Sequence, residues 1–303
     1  MSSNPTILVG IDYSAQSKNA LLAASRMANA RSLPLVCFYV LDRELLTQIK
    51  SLDAEAEKGV LNLAHEKMAT FIQETIGTGR DITTEVALGN PFKVTLDQIA
   101  KHHAETLVLG AGGYSHEDGH HVGALASRCI RKAPVEVLLV RNYQDHPFED
   151  IVACVDFSDN SNRAVHRAAA LAAQDKSRLK LIHVYRPSIF TETDMGWLGP
   201  AFPIAPDTDI QATLQARVEA LATEITAKYD LSSVTSEVVT CPSIHRGIWQ
   251  ALKEMEADLV VLGTRGRTGF KSLLLGTTAE GLLNQTPCSA LTIKPADFHY
   301  TLS

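Results

Sequence analysis

Two stretches of the chain carry residue types that suit phosphate and sugar chemistry. The first reads Gly263-Thr264-Arg265-Gly266-Arg267 and, with nine residues between Gly266 and it, Gly276-Thr277-Thr278. Glycines let backbone N–H groups approach phosphate oxygens closely. Arg265 and Arg267 add positive charge, and Thr277 and Thr278 add hydroxyl donors. The sequence after Gly276 has helical character, and a helix N-terminus supplies unpaired N–H groups and a favourable dipole. The second stretch is Asp156, which ends the apolar run IVACVD and is followed by Phe157-Ser158. A carboxylate there suits ribose hydroxyls or a base amine. The same glycines would equally serve a tight turn and a close helix contact, and G-x2-G alone is a weak signal.

The elements that must position these residues occur twice. Residues 6–12 read TILVGID and residues 150–156 read DIVACVD, each followed by an aromatic residue and Ser: Asp12-Tyr13-Ser14 and Asp156-Phe157-Ser158. Gly110, Gly113, Gly123 and Pro134 recur as Gly263, Gly266, Gly276 and Pro287, all at an offset of 153, against 144 for the Asp pair. A repeat of this period means two copies of one unit. The extra residues of copy two fall around Pro187 to Pro206, which reads as an irregular loop. Expected strands are about 6–12, 35–40, 82–88, 106–110 and 135–141 in copy one, and 150–156, 179–185, 234–240, 258–263 and 288–294 in copy two. Continuous Val/Ile/Leu runs between helical segments indicate parallel strands buried on both faces. The expected fold is α/β: two tandem, doubly wound, Rossmann-like domains, 1–142 and 150–303, each with a five-stranded parallel sheet, joined by the polar segment 142–150. Ligands of such sheets bind beyond the carboxyl ends of the strands.

Gly263-x2-Gly266-x9-Gly276-Thr277 resembles the ATP-binding signature of the universal stress protein (UspA) family, G-x2-G-x9-G followed by Ser or Thr. Asp156 and the last run CSALTIKP at 288–295 fit the same pattern. Two copies in one chain resemble the tandem, E-type members, with the adenine nucleotide alpha hydrolase-like form of the fold. The resemblance implies an adenine nucleotide held by Asp156, the Val184 backbone, Leu262, Gly263, Arg265, Gly266, Arg267, Gly276, Thr277 and Thr278. It leaves ATP, ADP and AMP open, with or without Mg²⁺. Copy one keeps Asp12, Gly110, Gly113 and Gly123, but Ala124 replaces the hydroxyl residue, Gly112 and Tyr114 replace the two arginines, and Glu117 and Asp118 enter the loop. Acidic residues work against a triphosphate, so copy one is expected to be a degenerate, weak or silent site. The resemblance also implies that the last strands, 135–141 and 288–295, pair inside the chain as an intramolecular pseudo-dimer. A homodimer of whole chains stays open.

His116, Glu117, Asp118, His120 and His121, with His102 and His103, offer metal-ligand types, but no familiar ligand spacing is present, and a solvated loop with no metal is expected. The cysteines, Cys37, Cys129, Cys154, Cys241 and Cys288, are odd in number and sit in or near apolar runs, which suits reduced thiols in a cytoplasmic protein. Met195, Trp197, Leu198 and Phe202 suit a lid or a docking surface as well as a packed loop. No G-x4-G-K-[ST] loop, G-x-S-x-G elbow or H-E-x-x-H motif occurs. The net charge of −6 disfavours broad nucleic-acid binding, and no apolar run reaches membrane-spanning length. The functional expectation is a stress-response regulator that binds ATP or another adenine nucleotide in domain 2 and acts on an unidentified protein partner. No residue is evidently placed to activate water, so no catalytic residue is assigned. The alternatives are a nucleotide-independent interaction scaffold and a slow ATPase.

Overall fold

The computed structural model describes residues 5–42, 54–77, 82–112, 122–187, 208–266 and 277–298. In chain order the elements are β1 (Thr6–Ile11), α1 (Ala15–Ala30), β2 (Leu35–Asp42), α2 (Ala54–Ile76), β3 (Ile82–Gly89), α3 (Pro91–Lys101), β4 (Ala104–Gly110), α4 (Ala124–Lys132), β5 (Glu136–Val140), β6 (Asp150–Cys154), α5 (Asp159–Asp175), β7 (Arg178–Tyr185), α6 (Thr208–Tyr229), β8 (Val234–Thr240), α7 (Ile244–Glu254), β9 (Leu259–Gly263), α8 (Thr277–Gln285) and β10 (Ser289–Ile293). They form two compact units, Met1–His146 with Ser289–Ser303, and Pro147–Cys288.

In the first unit the strand order is β3-β2-β1-β4-β5-β10. The strands from β3 to β5 are parallel, with Ile7 opposite Leu35 and Thr106 and with Val108 opposite Leu138. Ile7, Leu8, Val9, Leu107, Val108 and Leu138 are all fully buried. Burial on both faces is why these strands read as unbroken apolar runs rather than as alternating patterns. β10 pairs antiparallel with β5, Leu291 opposite Leu138, so the two last strands of the repeats lie side by side. Thr292 Oγ1 donates to the Val137 carbonyl, and Ser289 Oγ accepts from the Arg141 N–H.

In the second unit the parallel order is β9-β6-β7-β8. The chain leaves β6 toward β7 on one side and returns to β9 on the other. A crevice opens where neighbouring strands diverge in this way.

Small side chains bring the first helix of each repeat close to its sheet. α1 buries Ala20, Leu21, Ala24 and Ala28, and α5 buries Ala164, Val165, Ala168, Ala169 and Ala172. Each helix opens on a serine cap: Ser14 Oγ accepts from Ser17 N at 3.1 Å, and Ser158 Oγ from Ser161 N at 3.1 Å. Such caps satisfy one of the orphan donors of the first turn.

β6 ends at Cys154, two residues before the expected end at Asp156. The Val155 N–H still pairs with the Ile182 carbonyl, but the Val155 carbonyl turns to His183 Nδ1 at 2.7 Å. The ladder therefore stops where a side chain takes over the acceptor.

Candidate nucleotide-binding site

The site in the second unit is assembled from the carboxyl ends of β6 and β9. Asp156 follows β6 in a tight polar turn. Its Oδ1 accepts from Ser158 N at 2.9 Å and from Ser158 Oγ at 2.5 Å. Phe157, between them, has φ 60°. A bulky residue in that region is strained, and the surroundings hold it: its ring lies 4.8 Å from that of His183, with the Arg217 guanidinium 4.0 Å above the ring centre. An acceptor carbonyl on Val155 means that His183 Nδ1 carries the proton and donates, which fixes the backbone entering Asp156.

The glycines of β9 and its loop close on these residues. A methyl group built on Gly266 would stand 2.8 Å from Asp156 Oδ2. One built on Gly263 would stand 2.7 Å from Asn160 Nδ2 and 3.2 Å from the Asn160 carbonyl carbon. Asn160 Nδ2 donates to the Arg265 carbonyl at 3.3 Å, and Thr264 between the glycines is buried. The structure thus brings Asp156, Gly263, Arg265 and Gly266 together, with Leu262 buried at the end of β9. Val184 lies near the end of β7, opposite Val239, and Gly247 of α7 packs on its side chain. Thr277 and Thr278 open α8. Arg267 and Gly276 lie outside the described residues.

Two cavities among the described residues of the second unit lie away from Asp156. One of about 350 Å³ lies between α7 and α8, lined by Ser243, His245, Arg246, Trp249, Gly281 and Leu282. Another, of about 560 Å³, lies at the amino ends of β7 and β8 near Arg178, Lys180 and Lys253.

Asn160, His183, Phe157 and Arg217 escaped the sequence reading. Their roles come from contacts across the fold, and only the position of Phe157 beside Asp156 gave any local signal.

The first unit repeats the carboxylate turn. Asp12 Oδ1 accepts from Ser14 N at 3.0 Å, and Tyr13 has φ 64°. Here the aromatic cluster is larger: the Tyr13 ring lies 4.8 Å from Tyr39 and 5.4 Å from Phe71, and Lys67 Nζ sits 4.1 Å from the ring centre. The Tyr13 hydroxyl donates to the Ala64 carbonyl at 3.3 Å, and burial, then the neighbouring Tyr39, pushes its pKa up to about 12. Gly110 presses on Gln16, where an added methyl would meet backbone carbon and oxygen at 2.7 and 2.8 Å. Gly123 caps α4 without a side-chain hydrogen bond, and Ala124 begins the helix. Gly113 and the His116–His121 loop, with Tyr114, Glu117 and Asp118, lie outside the described residues, as do Met195, Trp197, Leu198 and Phe202.

All five cysteines are free thiols. Burial pushes Cys154, in a strand leading to the site, up to about 12, with Cys288 and Asp156 adding to the shift. A thiol so far from ionising is a poor nucleophile at neutral pH. Among the described residues no group of three or more His, Cys, Asp or Glu side chains could hold a metal ion. His102 instead lies 3.2 Å from Glu85. No helix among the described residues is long and apolar enough to cross a membrane.

Known proteins share this plan. The universal stress protein family model matches residues 4–141 and again residues 147–294. A universal stress protein of Mycobacterium tuberculosis strain H37Rv is 25% identical over 298 residues, covering 93% of this chain and 94% of its own. One from Thermus aquaticus is 29% identical over 148 residues, which is 48% of this chain and 99% of that protein. The crystal structure of a universal stress protein from Archaeoglobus fulgidus shares the fold, with a TM-score of 0.66, 17% identity and coverage of 97% of this chain and 99% of that one. With both halves of the chain matched, one after the other, the protein belongs to the universal stress protein family as a tandem of two such domains.

Proposed function

We propose that the second repeat binds an adenine nucleotide at the carboxyl ends of β6 and β9, and that binding, with little or no hydrolysis, is its function in a stress response. The observation that carries this reading is the approach of Gly266 to Asp156. A turn lying so close to a carboxylate that no Cβ fits is expected where backbone N–H groups and a hydroxyl-binding acid must face one ligand. Asp156 receives ribose hydroxyls, the Val184 backbone receives the base, and Gly263, Arg265 and Gly266 start the phosphate loop. Arg267, Gly276, Thr277 and Thr278 complete it at the head of α8, where the helix dipole favours negative charge. ATP fits this set best, with ADP or AMP as lesser ligands and Mg²⁺ as a companion of the phosphates. No described side chain near Asp156 is placed to activate water. The ligand would therefore order the loop and alter the surface offered to a protein partner. Free thiols in and near apolar strands suit a cytoplasmic setting.

The test is mass spectrometry of nucleotide released from the purified protein on denaturation, followed by calorimetric titration of the stripped protein with ATP. One adenine nucleotide per chain, lost in Gly276→Val, is the expected result. No released nucleotide and no heat would overturn it and favour a nucleotide-independent scaffold. Turnover that tracks the intact loop would instead make the protein a slow ATPase.

A further inference from the structure

Asn160 stands apart from the residues that the glycine motif identifies. It is the second residue of α5, only 6% exposed, and it lies between Gly263 and the Arg265 carbonyl. Its Nδ2 is used, donating to that carbonyl across 105 residues of sequence. Its Oδ1 is buried and, among the described residues, has no hydrogen-bond partner. The amide cannot be turned round to cure this, because Oδ1 would then face the Arg265 carbonyl, acceptor against acceptor. Buried acceptors are nearly always paired, and one left open beside a candidate ligand crevice calls for a donor.

We infer that Asn160 is a specificity-determining residue of the nucleotide site: its Nδ2 fixes the first turn of the loop, and its Oδ1 accepts from an O–H or N–H donor of the bound ligand, a sugar hydroxyl or a base amine. This rests on the nucleotide reading of the second repeat. Fixing the turn and reading the ligand are done by one planar amide, so the Arg265 carbonyl holds Oδ1 in one orientation before the ligand arrives. Preorganisation of that kind favours a ligand that carries a donor at the right place over one that lacks it. Omitting one partner of a buried hydrogen bond discriminates strongly because the other partner stays buried and unpaired.

The first repeat gives a control. The matching residue, at the offset of the Asp pair, is Gln16, which is half-buried and meets Gly110 through its backbone and Cβ. Among the described residues its amide makes no bond to a loop carbonyl. The longer side chain has lost the clamp in the repeat whose loop is degenerate.

The experiment compares wild type, Asn160→Ala and Asn160→Asp by calorimetric titration with ATP, 2′-deoxy-ATP, 3′-deoxy-ATP and inosine triphosphate, with thermal melting of each variant alongside. Asp keeps an acceptor in the same shape, loses the donor to Arg265, and adds a negative charge. Wild type is expected to bind ATP at least tenfold better than one of the three analogues. A lost preference against a deoxy analogue identifies a sugar hydroxyl, and one against the inosine nucleotide identifies the base amine. Asn160→Ala should weaken ATP binding by about the same factor and erase that preference, while Asn160→Asp should weaken binding of all four and keep the preference. Unchanged ATP affinity in Asn160→Ala overturns the inference. So does a uniform loss across all four ligands in Asn160→Ala with the wild-type preference intact, because that marks a purely structural role. If wild type binds no nucleotide at all, the inference falls with the reading it rests on. If wild type binds ATP and both variants keep its preferences, the inference alone fails.

Discussion

The two repeats build the same carboxylate turn and then use it differently. Asp12 and Asp156 both bond the following serine, and Tyr13 and Phe157 both sit in the left-handed region at φ 64° and 60°. A cation from the next long helix covers the ring in each, Lys67 in one and Arg217 in the other. So the Asp-aromatic-Ser unit is first a piece of architecture, one that starts a helix and anchors it to the strand end. What separates the repeats is the glycine side. In the second, Gly266 touches the carboxylate and an added methyl on Gly263 would meet Asn160 through its side-chain amide at 2.7 Å, with the backbone carbon behind it at 3.2 Å. In the first, Gly110 lies against the backbone of Gln16, and Ala124 heads the helix. Matching acids therefore do not predict matching ligands. The approach of the loop does.

That contrast would break most clearly at Gly266. Gly266→Val would drive a branched side chain into Asp156 Oδ2, 2.8 Å from where its Cβ must sit. Titration with ATP should show affinity down by about a hundredfold or more, worth roughly 2.7 kcal/mol, with thermal melting run alongside to separate lost binding from lost fold. Equal affinity in wild type and variant would mean that the ligand, if any, sits elsewhere. The companion change, Ala124→Thr, restores the hydroxyl residue of the first repeat and should add no second binding event, because Glu117 and Asp118 remain. A second equivalent of nucleotide would show the first loop to be one residue from function.

A pH-dependent difference in stability is expected at another matched pair. Arg141 and Lys294 follow the last strands of the two repeats at the offset of 153, and both are buried. Lys294 Nζ donates to the Ile130 carbonyl near the end of α4 and lies 4.6 Å from the Phe298 ring centre. Burial lowers its pKa from 10.5 to about 7, opposed by Cys129. Between those values the unfolded chain holds a proton that the folded unit releases, so stability rises with pH across that window. Below about pH 7 both states are protonated, and the full penalty applies. Urea unfolding from pH 7 to 9 should therefore show wild type gaining on Lys294→Met, by at most about 1.4 kcal/mol per pH unit. Parallel curves would show that the ammonium is not desolvated. Arginine at 141 stays charged throughout, so the corresponding Arg141→Met comparison should show no such slope.

Gly110 and Gly263 should part company in stability. Gly110→Ala sets a methyl against Gln16 backbone atoms that cannot move away, at about 1–3 kcal/mol. Gly263→Ala meets Asn160 Nδ2 first, and that amide can swing aside with loss of its bond to Arg265, about 1 kcal/mol. Melting temperatures rank the two directly. A larger loss in Gly263→Ala would mean that Asn160 is held as firmly as backbone.

Much of the fold was legible because parallel strands buried on both faces leave unbroken apolar runs, such as TILVGI and LVVLG, and because the glycines recur at one offset. The Asp–Ser turn was visible as a repeated triplet. Less visible were features set by contacts distant in sequence. β6 stops early because His183, 28 residues on, takes the Val155 carbonyl. The clamp from Asn160 to Arg265 crosses the whole second repeat. Nothing in the types Tyr13 and Phe157 announces a positive φ, which glycine or asparagine would normally supply. Composition sets the layers, and the exact closure of the site depends on residues that only folding brings into contact.

The smallest expected effect tests the shared turn. Ser14→Ala and Ser158→Ala each remove a helix cap and the hydroxyl bond to the preceding carboxylate, leaving the backbone N–H bond in place, and each should lower stability by about 1 kcal/mol. Near-equal losses in urea unfolding would show that both turns serve architecture first. Ligand binding then distinguishes them. Without the Ser158 hydroxyl, Asp156 Oδ1 keeps only the backbone N–H of residue 158, and the carboxylate gains freedom beneath Gly266, so ATP affinity should drop a few-fold through the added ordering cost. Ser14→Ala should leave ATP affinity unchanged, because the first carboxylate has no glycine loop of this kind among the described residues. If both variants weakened ATP binding equally, the nucleotide would depend on both repeats, and the division of labour between them would have to be given up.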